Sequence, residues 1–147
     1  MKPTTVYLID DDTDDQEIFG YAMEEADNEV VCVFANDGLK ALEKIQSDKN
    51  FIPDIIFIDM NMPIMNGKQC LEFIKKINHL KDIPVYIYST SAEPSLVEES
   101  LRLGADEYVV KPASIGVLTA ILKRILDKHR VVTSPQNRQV AKPENFE

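Results

Sequence analysis

The chain has 147 residues, 44% hydrophobic and 28% charged, which suits one ordinary domain with a real core and a short appendage, and excludes a large multidomain enzyme or a globally disordered chain. Its 16 Lys and Arg against 25 Asp and Glu leave a formal net charge of −9, so a nucleic-acid backbone would meet net repulsion and no direct nucleic-acid partner is expected. No apolar run approaches the roughly 20 residues of a bilayer span, and Met1-Lys2-Pro3-Thr4 lacks a signal-peptide pattern, so no membrane partner is expected and the expected compartment is the cytoplasm. In chain order, five short apolar runs predict strands: Val6 to Ile9, Val30 to Phe34, Ile55 to Ile58, Val85 to Tyr88 and Tyr108 to Val110. They are mostly continuous rather than alternating, as in strands buried on both faces.

Helical spacing fills the intervals. Ile18, Phe19, Ala22, Met23 and Ala26 mark the first helix, and Leu39, Leu42 and Ile45 the second. Leu71, Ile74 and Ile77 mark the third, Leu96, Val97, Ser100 and Leu101 the fourth, and Leu118, Ile121, Leu122 and Ile125 the fifth. Punctuation agrees: Asp12 or Thr13 can cap the first helix, Gly104 ends the fourth, and Pro53 and Pro84 precede strands. Five βα units joined by right-handed crossovers predict an α/β domain, one five-stranded parallel sheet flanked by five helices, with ligands beyond the carboxyl ends of the strands. The domain is expected over residues 1–129, and 130–147, with Pro135, Pro143 and almost no apolar face, reads as a flexible C-terminal tail. Cys32 and Cys70 lack metal or redox spacing and read as reduced core thiols; His79 and His129 are too separated for a zinc site or a triad.

The expected binding edge collects unusual residues. The first strand ends in Asp10, Asp11 and Asp12 and the third in Asp59. At about 4 Å and an effective dielectric of 20, each close carboxylate pair costs roughly 4 kcal/mol, so such a group must take up protons or hold a cation. Oxygen-only ligands without calcium-loop spacing favour magnesium. Asp12, Asp14 and Asp15 read instead as capping and helix-end acids. Asp59, followed by a Pro- and Gly-containing loop to Gly67, is either a turn former or a nucleophile able to make an acyl phosphate. The fourth strand ends in Ser89-Thr90-Ser91 and the fifth in Lys111-Pro112, offering hydroxyls and a cation that suit a phosphoryl group.

On these residues the sequence resembles the receiver domain of two-component response regulators, from about Val6 through the fifth helix. The stretches are Val6-Tyr7-Leu8-Ile9-Asp10-Asp11-Asp12, Ile55-Ile56-Phe57-Ile58-Asp59-Met60-Asn61-Met62-Pro63 with Gly67, Pro84-Val85-Tyr86-Ile87-Tyr88-Ser89, and Gly104-Ala105-Asp106-Glu107-Tyr108-Val109-Val110-Lys111-Pro112. The resemblance implies a flavodoxin-like (βα)5 receiver fold of the stand-alone type. It implies that Asp59 accepts a phosphoryl group from a phosphohistidine, and that magnesium is held by Asp10, Asp11, Asp59 and the Asn61 backbone carbonyl. It further implies that Lys111 pairs with the phosphoryl charge, that Ser89 and Tyr108 form the switch, and that the Lys111-Pro112 bond is cis.

Such a protein is no ordinary enzyme: it assists its own phosphorylation and dephosphorylation, and switches a protein-interaction face. The implied partners are a sensor histidine kinase or phosphotransfer protein, phytochrome-related kinases among the candidates, and a downstream protein target. A second copy of the chain, in a homodimer through the switching face, is a further candidate partner, though no clear apolar patch stands behind it. Two departures stand out. Three consecutive Asp leave open which two bind metal, and Thr90 adds a hydroxyl beside Ser89; counting from Pro84 favours Ser89. Asp10-x-Asp12 also resembles the acid pair of haloacid-dehalogenase-type phosphatases, but Asp14 departs from that pattern and Asp59 is left without a role. A flavodoxin-like binding module without chemistry is the other rival, though no glycine-rich phosphate loop is present.

Overall fold

The structure, a computed structural model, describes residues 2–133. Strands and helices alternate throughout: β1 Thr5–Ile9, α1 Thr13–Ala26, β2 Val31–Ala35, α2 Gly38–Ser47, β3 Ile55–Ile58, α3 Gly67–Lys75, β4 Val85–Ser89, α4 Pro94–Arg102, β5 Glu107–Val110 and α5 Ile115–Thr133. All strand pairs are parallel, in the order β2-β1-β3-β4-β5. This is the flavodoxin-like order, in which the chain reverses its direction of travel across the sheet between β1 and β3.

Alternating side chains divide the core between the two faces of the sheet. Tyr7, Ile9, Ile56, Ile58, Val85 and Ile87 pack against α2 and α3 residues such as Ala41, Ile45, Leu71 and Ile74. Val6, Leu8, Ile55, Phe57, Tyr86 and Tyr88 pack against Phe19, Ala22 and Met23 of α1 and Leu118, Leu122 and Ile125 of α5. On that second face Phe57 stacks on Tyr86 at 5.2 Å and meets Phe19 edge-on at 5.1 Å between ring centroids. Such pairs add about 0.5–1.5 kcal/mol each beyond area burial, so they help fix β3 and β4 against α1.

Strand register places the chemistry. Ile9 is paired with Ile58, and the Asp59 amide donates to the Ile9 carbonyl at 2.8 Å, which sets Asp10 and Asp59 side by side. Ser89 is paired with Val110, and the Lys111 amide donates to the Ser89 carbonyl at 2.8 Å, which brings Lys111 to the same rim.

Three expectations need correction. The fifth helix does not stop at His129 but runs to Thr133; the remainder of the expected tail lies outside the described residues. The Tyr86 hydroxyl bonds His129 Nε2 at 2.7 Å, an anchor that apolar periodicity alone does not reveal. On α4, Ser100 is buried with its hydroxyl donating to the Leu96 carbonyl at 2.7 Å, while Leu101 is exposed, so the inward stripe is narrower than its apolar content suggested. Finally, β2 is half exposed because it is one of the sheet's two edge strands.

Candidate functional site

The first turn of α1 follows directly from the acidic run. Asp12 is its N-cap, and its Oδ1 accepts from the amides of Asp14 at 2.9 Å and Asp15 at 3.2 Å. This satisfies helix-end donors and leaves Asp12 outside the acid cluster, as capping predicted. It also removes the phosphatase-like pairing of Asp10 with Asp12 as two free acids. The Asp10 backbone is pinned on both sides: its amide donates to the Ala35 carbonyl at 3.0 Å, and its carbonyl accepts from Gln16 Nε2 at 2.8 Å.

After β3 the chain must turn sharply around Asp59. Gly67 makes this fit, because a Cβ there would stand 2.4 Å from the Asp59 carbonyl oxygen; the Gly67 amide instead donates to the Met60 carbonyl at 2.8 Å. Asn66 and Gln69 close a reciprocal capping box at the start of α3. In the loop between Asp59 and Gly67, Ile64 holds a φ of 70°, a left-handed conformation unusual for a β-branched residue, and is 88% exposed.

Asp10 is fully buried and Asp59 is 5% exposed. Asp10, Asp11 and Asp59 each present an oxygen, all within 4.8 Å of one another. Lys111 Nζ stands 2.7 Å from Asp15 Oδ2, 2.9 Å from Asp10 Oδ2 and 3.7 Å from Asp59 Oδ1. It also lies 5.1 Å from the centroid of the Tyr88 ring, within cation–π range. These groups open into a cleft of about 460 Å³ lined by Asp11, Asp12, Thr13, Asp15, Asp59, Asn61, Thr90 and Lys111.

Negative charge exceeds its compensation here. Burial, reinforced by the Asp10 charge, pushes the Asp59 carboxyl up to about 7 against the opposing pull of Lys111 and the Asn61 amide. Burial also raises Asp10, opposed by the Asp12 amide and by Lys111. Burial works against the Lys111 charge, but hydrogen bonds to Asp15 and Asp10 outweigh it and hold the ammonium above the ordinary lysine range. A cluster of hard oxygen donors with surplus negative charge fits a hard divalent cation such as magnesium.

Of the residues singled out in the sequence, Asp10, Asp11, Asp59 and Lys111 come together, and Asn61 lines the same cleft. Ser89 is buried, its Oγ accepting from the Ser91 amide at 3.3 Å, and Thr90 rather than Ser89 lines the cleft. Tyr108 is half-buried and its hydroxyl donates to the Ser91 carbonyl at 2.7 Å, tying β5 to the loop after β4. The expected cis Lys111-Pro112 bond is corrected: no described peptide bond is cis. Even before proline the trans form is favoured by about 0.5–1 kcal/mol, and Lys111 reaches its acids with the trans bond. Sequence reasoning missed Asp15 as a site residue and Gln16 as a buttress. The available signal was the Asp12 cap, which places Asp15 at the third helical position, facing back toward the strand ends.

Residues 6–123 match the family model described as the response regulator receiver domain. The rice (Oryza sativa subsp. indica) protein "Two-component response regulator ORR11" is 30% identical over 124 residues, covering 84% of this chain and 82% of the relative. Among solved structures, the phosphorylated cyanobacterial phytochrome response regulator RcpA superimposes with a TM-score of 0.80 at 26% identity, covering 90% of this chain and 98% of the other. The Mn(2+)-bound form of response regulator Rcp1 gives 0.73 at 26% identity, covering 84% and 91%. With its parallel sheet in 2-1-3-4-5 order and its acids gathered at the β1 and β3 ends, the chain belongs to the response regulator receiver domain family.

Proposed function

We propose that this receiver domain takes a phosphoryl group onto Asp59 from the phosphohistidine of a sensor histidine kinase or phosphotransfer protein, with magnesium, and thereby switches a surface read by a downstream protein in the cytoplasm. The observation that carries the reading is the shared position of Asp59 and Asp10: two buried carboxylates held adjacent by strand register, beside one lysine. An Asp59 oxygen forms the new bond to phosphorus, the phosphorus–nitrogen bond to the donor imidazole breaks, and the electron pair leaves with the imidazole, which takes up a proton. Magnesium, held by Asp10, Asp11, Asp59 and the Asn61 carbonyl, would supply the positive charge that keeps Asp59 ionised and offsets the phosphoryl oxygens. Lys111, 3.7 Å from Asp59, would neutralise part of the remaining charge. The same residues assist hydrolysis, so the protein acts on its own phosphoryl group rather than on a separate substrate.

The switch is proposed to run through the loop after β4. Ser89 and Thr90 both carry hydroxyls, and drawing Ser89 toward a phosphoryl group would pull on Ser91, whose carbonyl holds the Tyr108 hydroxyl. A move of Tyr108 would then alter the surface around α4, β5 and α5, where Leu101 and Val110 are exposed. That RcpA was captured phosphorylated and Rcp1 with a divalent ion supports the reading.

Acetyl phosphate with and without magnesium, read by intact mass, tests it. Wild-type protein is expected to gain one phosphoryl mass only with magnesium, and Asp59→Asn to gain none. Loss of the adduct in Asp10→Asn with full labelling of Asp59→Asn would favour the phosphatase-like alternative instead.

A further inference from the structure

The Lys111 ammonium has three partners of unequal standing, and the nearest has no part in the chemistry just described. Asp15 Oδ2 stands at 2.7 Å, Asp10 Oδ2 at 2.9 Å and Asp59 Oδ1 at 3.7 Å. Both ends of the Lys111–Asp15 bond are fixed. Asp15 sits in the first turn of α1, its amide held by the Asp12 cap at 3.2 Å, and the Lys111 amide is held by the Ser89 carbonyl at 2.8 Å. The Asp15 carboxylate is 26% exposed and lines the cleft, unlike the fully buried Asp10.

An ammonium donates three protons, and the two short bonds to Asp15 and Asp10 already direct two of them away from Asp59. A phosphoryl group on Asp59 would draw Nζ across the remaining gap at the expense of these short bonds, and Asp15, unlike the fully buried Asp10, is partly exposed and free to turn to water. Asp15 and a phosphoryl group on Asp59 therefore compete for one ammonium.

We propose that Asp15 is a positioning residue that holds Lys111 back from Asp59 in the resting state, and so weakens the loaded state and shortens its persistence. The inference rests on the reading of Asp59 as phosphoacceptor. Asp15 lies outside the metal set, so its effect is exerted through the lysine. A purely local role at the helix end would be shared by Asp14, which lies in the same turn, is exposed, and makes no ion pair among the described residues.

The test is the affinity for beryllofluoride, a stable phosphoryl mimic, at saturating magnesium, followed by fluorine NMR on the full chain. Asp15→Asn is expected to bind about threefold more tightly or better than wild type, the worth of a partly exposed ion pair, while Asp14→Asn stays within about 1.5-fold of wild type. In a Lys111→Met background, adding Asp15→Asn should change nothing, because the coupling between the two residues is the whole effect. The proposal is overturned if Asp15→Asn binds as wild type does, if Asp14→Asn gives an equal gain, or if the gain survives without Lys111. Should Lys111→Met fail to fold, the Asp14 and Asp15 comparison alone decides. Failure of wild type to bind beryllofluoride would bring down the Asp59 reading itself, and this inference with it.

Discussion

The two ends of the sheet treat polar groups in opposite ways. At the amino end most are matched: the Thr5 amide with Asp54 at 2.8 Å, the Val85 amide with Asp106 at 3.1 Å, Tyr86 with His129 at 2.7 Å, and Asp27 with Arg130, His79 Nε2 being the buried side-chain nitrogen among the described residues that lacks a hydrogen-bond partner. At the carboxyl end Asp10, Asp15 and Asp59 share a single lysine, with Asp11 beside them in the same cluster. The matched end contributes stability and asks for nothing further. The unmatched end is destabilised by its own charge and is therefore primed for a cation and for a group that changes charge, the common trade of stability for function.

Removing the lone cation should break this contrast most severely. In metal-free protein near pH 8, Lys111→Met is expected to lower stability by about 3 kcal/mol, because the fully buried Asp10 loses its ammonium partner. Urea denaturation measures it, and magnesium should restore part of the loss.

Removing the surplus acid should act in the opposite sense. With its folded value at about 7 against an ordinary 3.8, Asp59 holds a proton in the folded protein that the unfolded chain has already released. Stability contributed by that proton is present at low pH, falls as pH rises from about 4 to about 7, and is gone above. Asp59→Asn is therefore expected to stabilise metal-free protein near pH 8 by about 2 kcal/mol and to make almost no difference near pH 4, read by paired urea melts at the two pH values.

The matched end gives smaller and functionally silent effects. Tyr86→Phe leaves His129 Nε2 without its partner and should cost about 1 kcal/mol in a thermal or urea melt, with the yield of phosphorylated protein unchanged. Arg124→Ala, whose side chain is 53% exposed where it pairs with Glu107, should shift stability by no more than about 0.5 kcal/mol in the same melt.

What could be read from the sequence follows the same divide. The buried strands were legible almost to the residue because continuous apolar runs have few other uses, and the parallel order then set Asp10 beside Asp59 and Lys111 beside Ser89. The less visible features were those that depend on where a polar side chain points. Asp15 read as an ordinary first-turn acid because nothing local shows that a lysine 96 positions later will meet it. The hold of α5 on Tyr86 was hidden for the same reason, since it runs through His129, which breaks the apolar rhythm. Counting from Pro84 singles out Ser89, the last residue of β4, which is buried, and the next residue, Thr90, lines the cleft because it lies past the strand end.

The most direct test of the central claim is to locate the modified atom. Protein loaded from a small phosphodonor with magnesium, then treated with borohydride, should carry homoserine in place of aspartate at position 59 and nowhere else, as read by peptide mass spectrometry. Homoserine at position 10 or 11, or unaltered aspartate at every position in protein that has demonstrably gained the phosphoryl mass, would contradict the account.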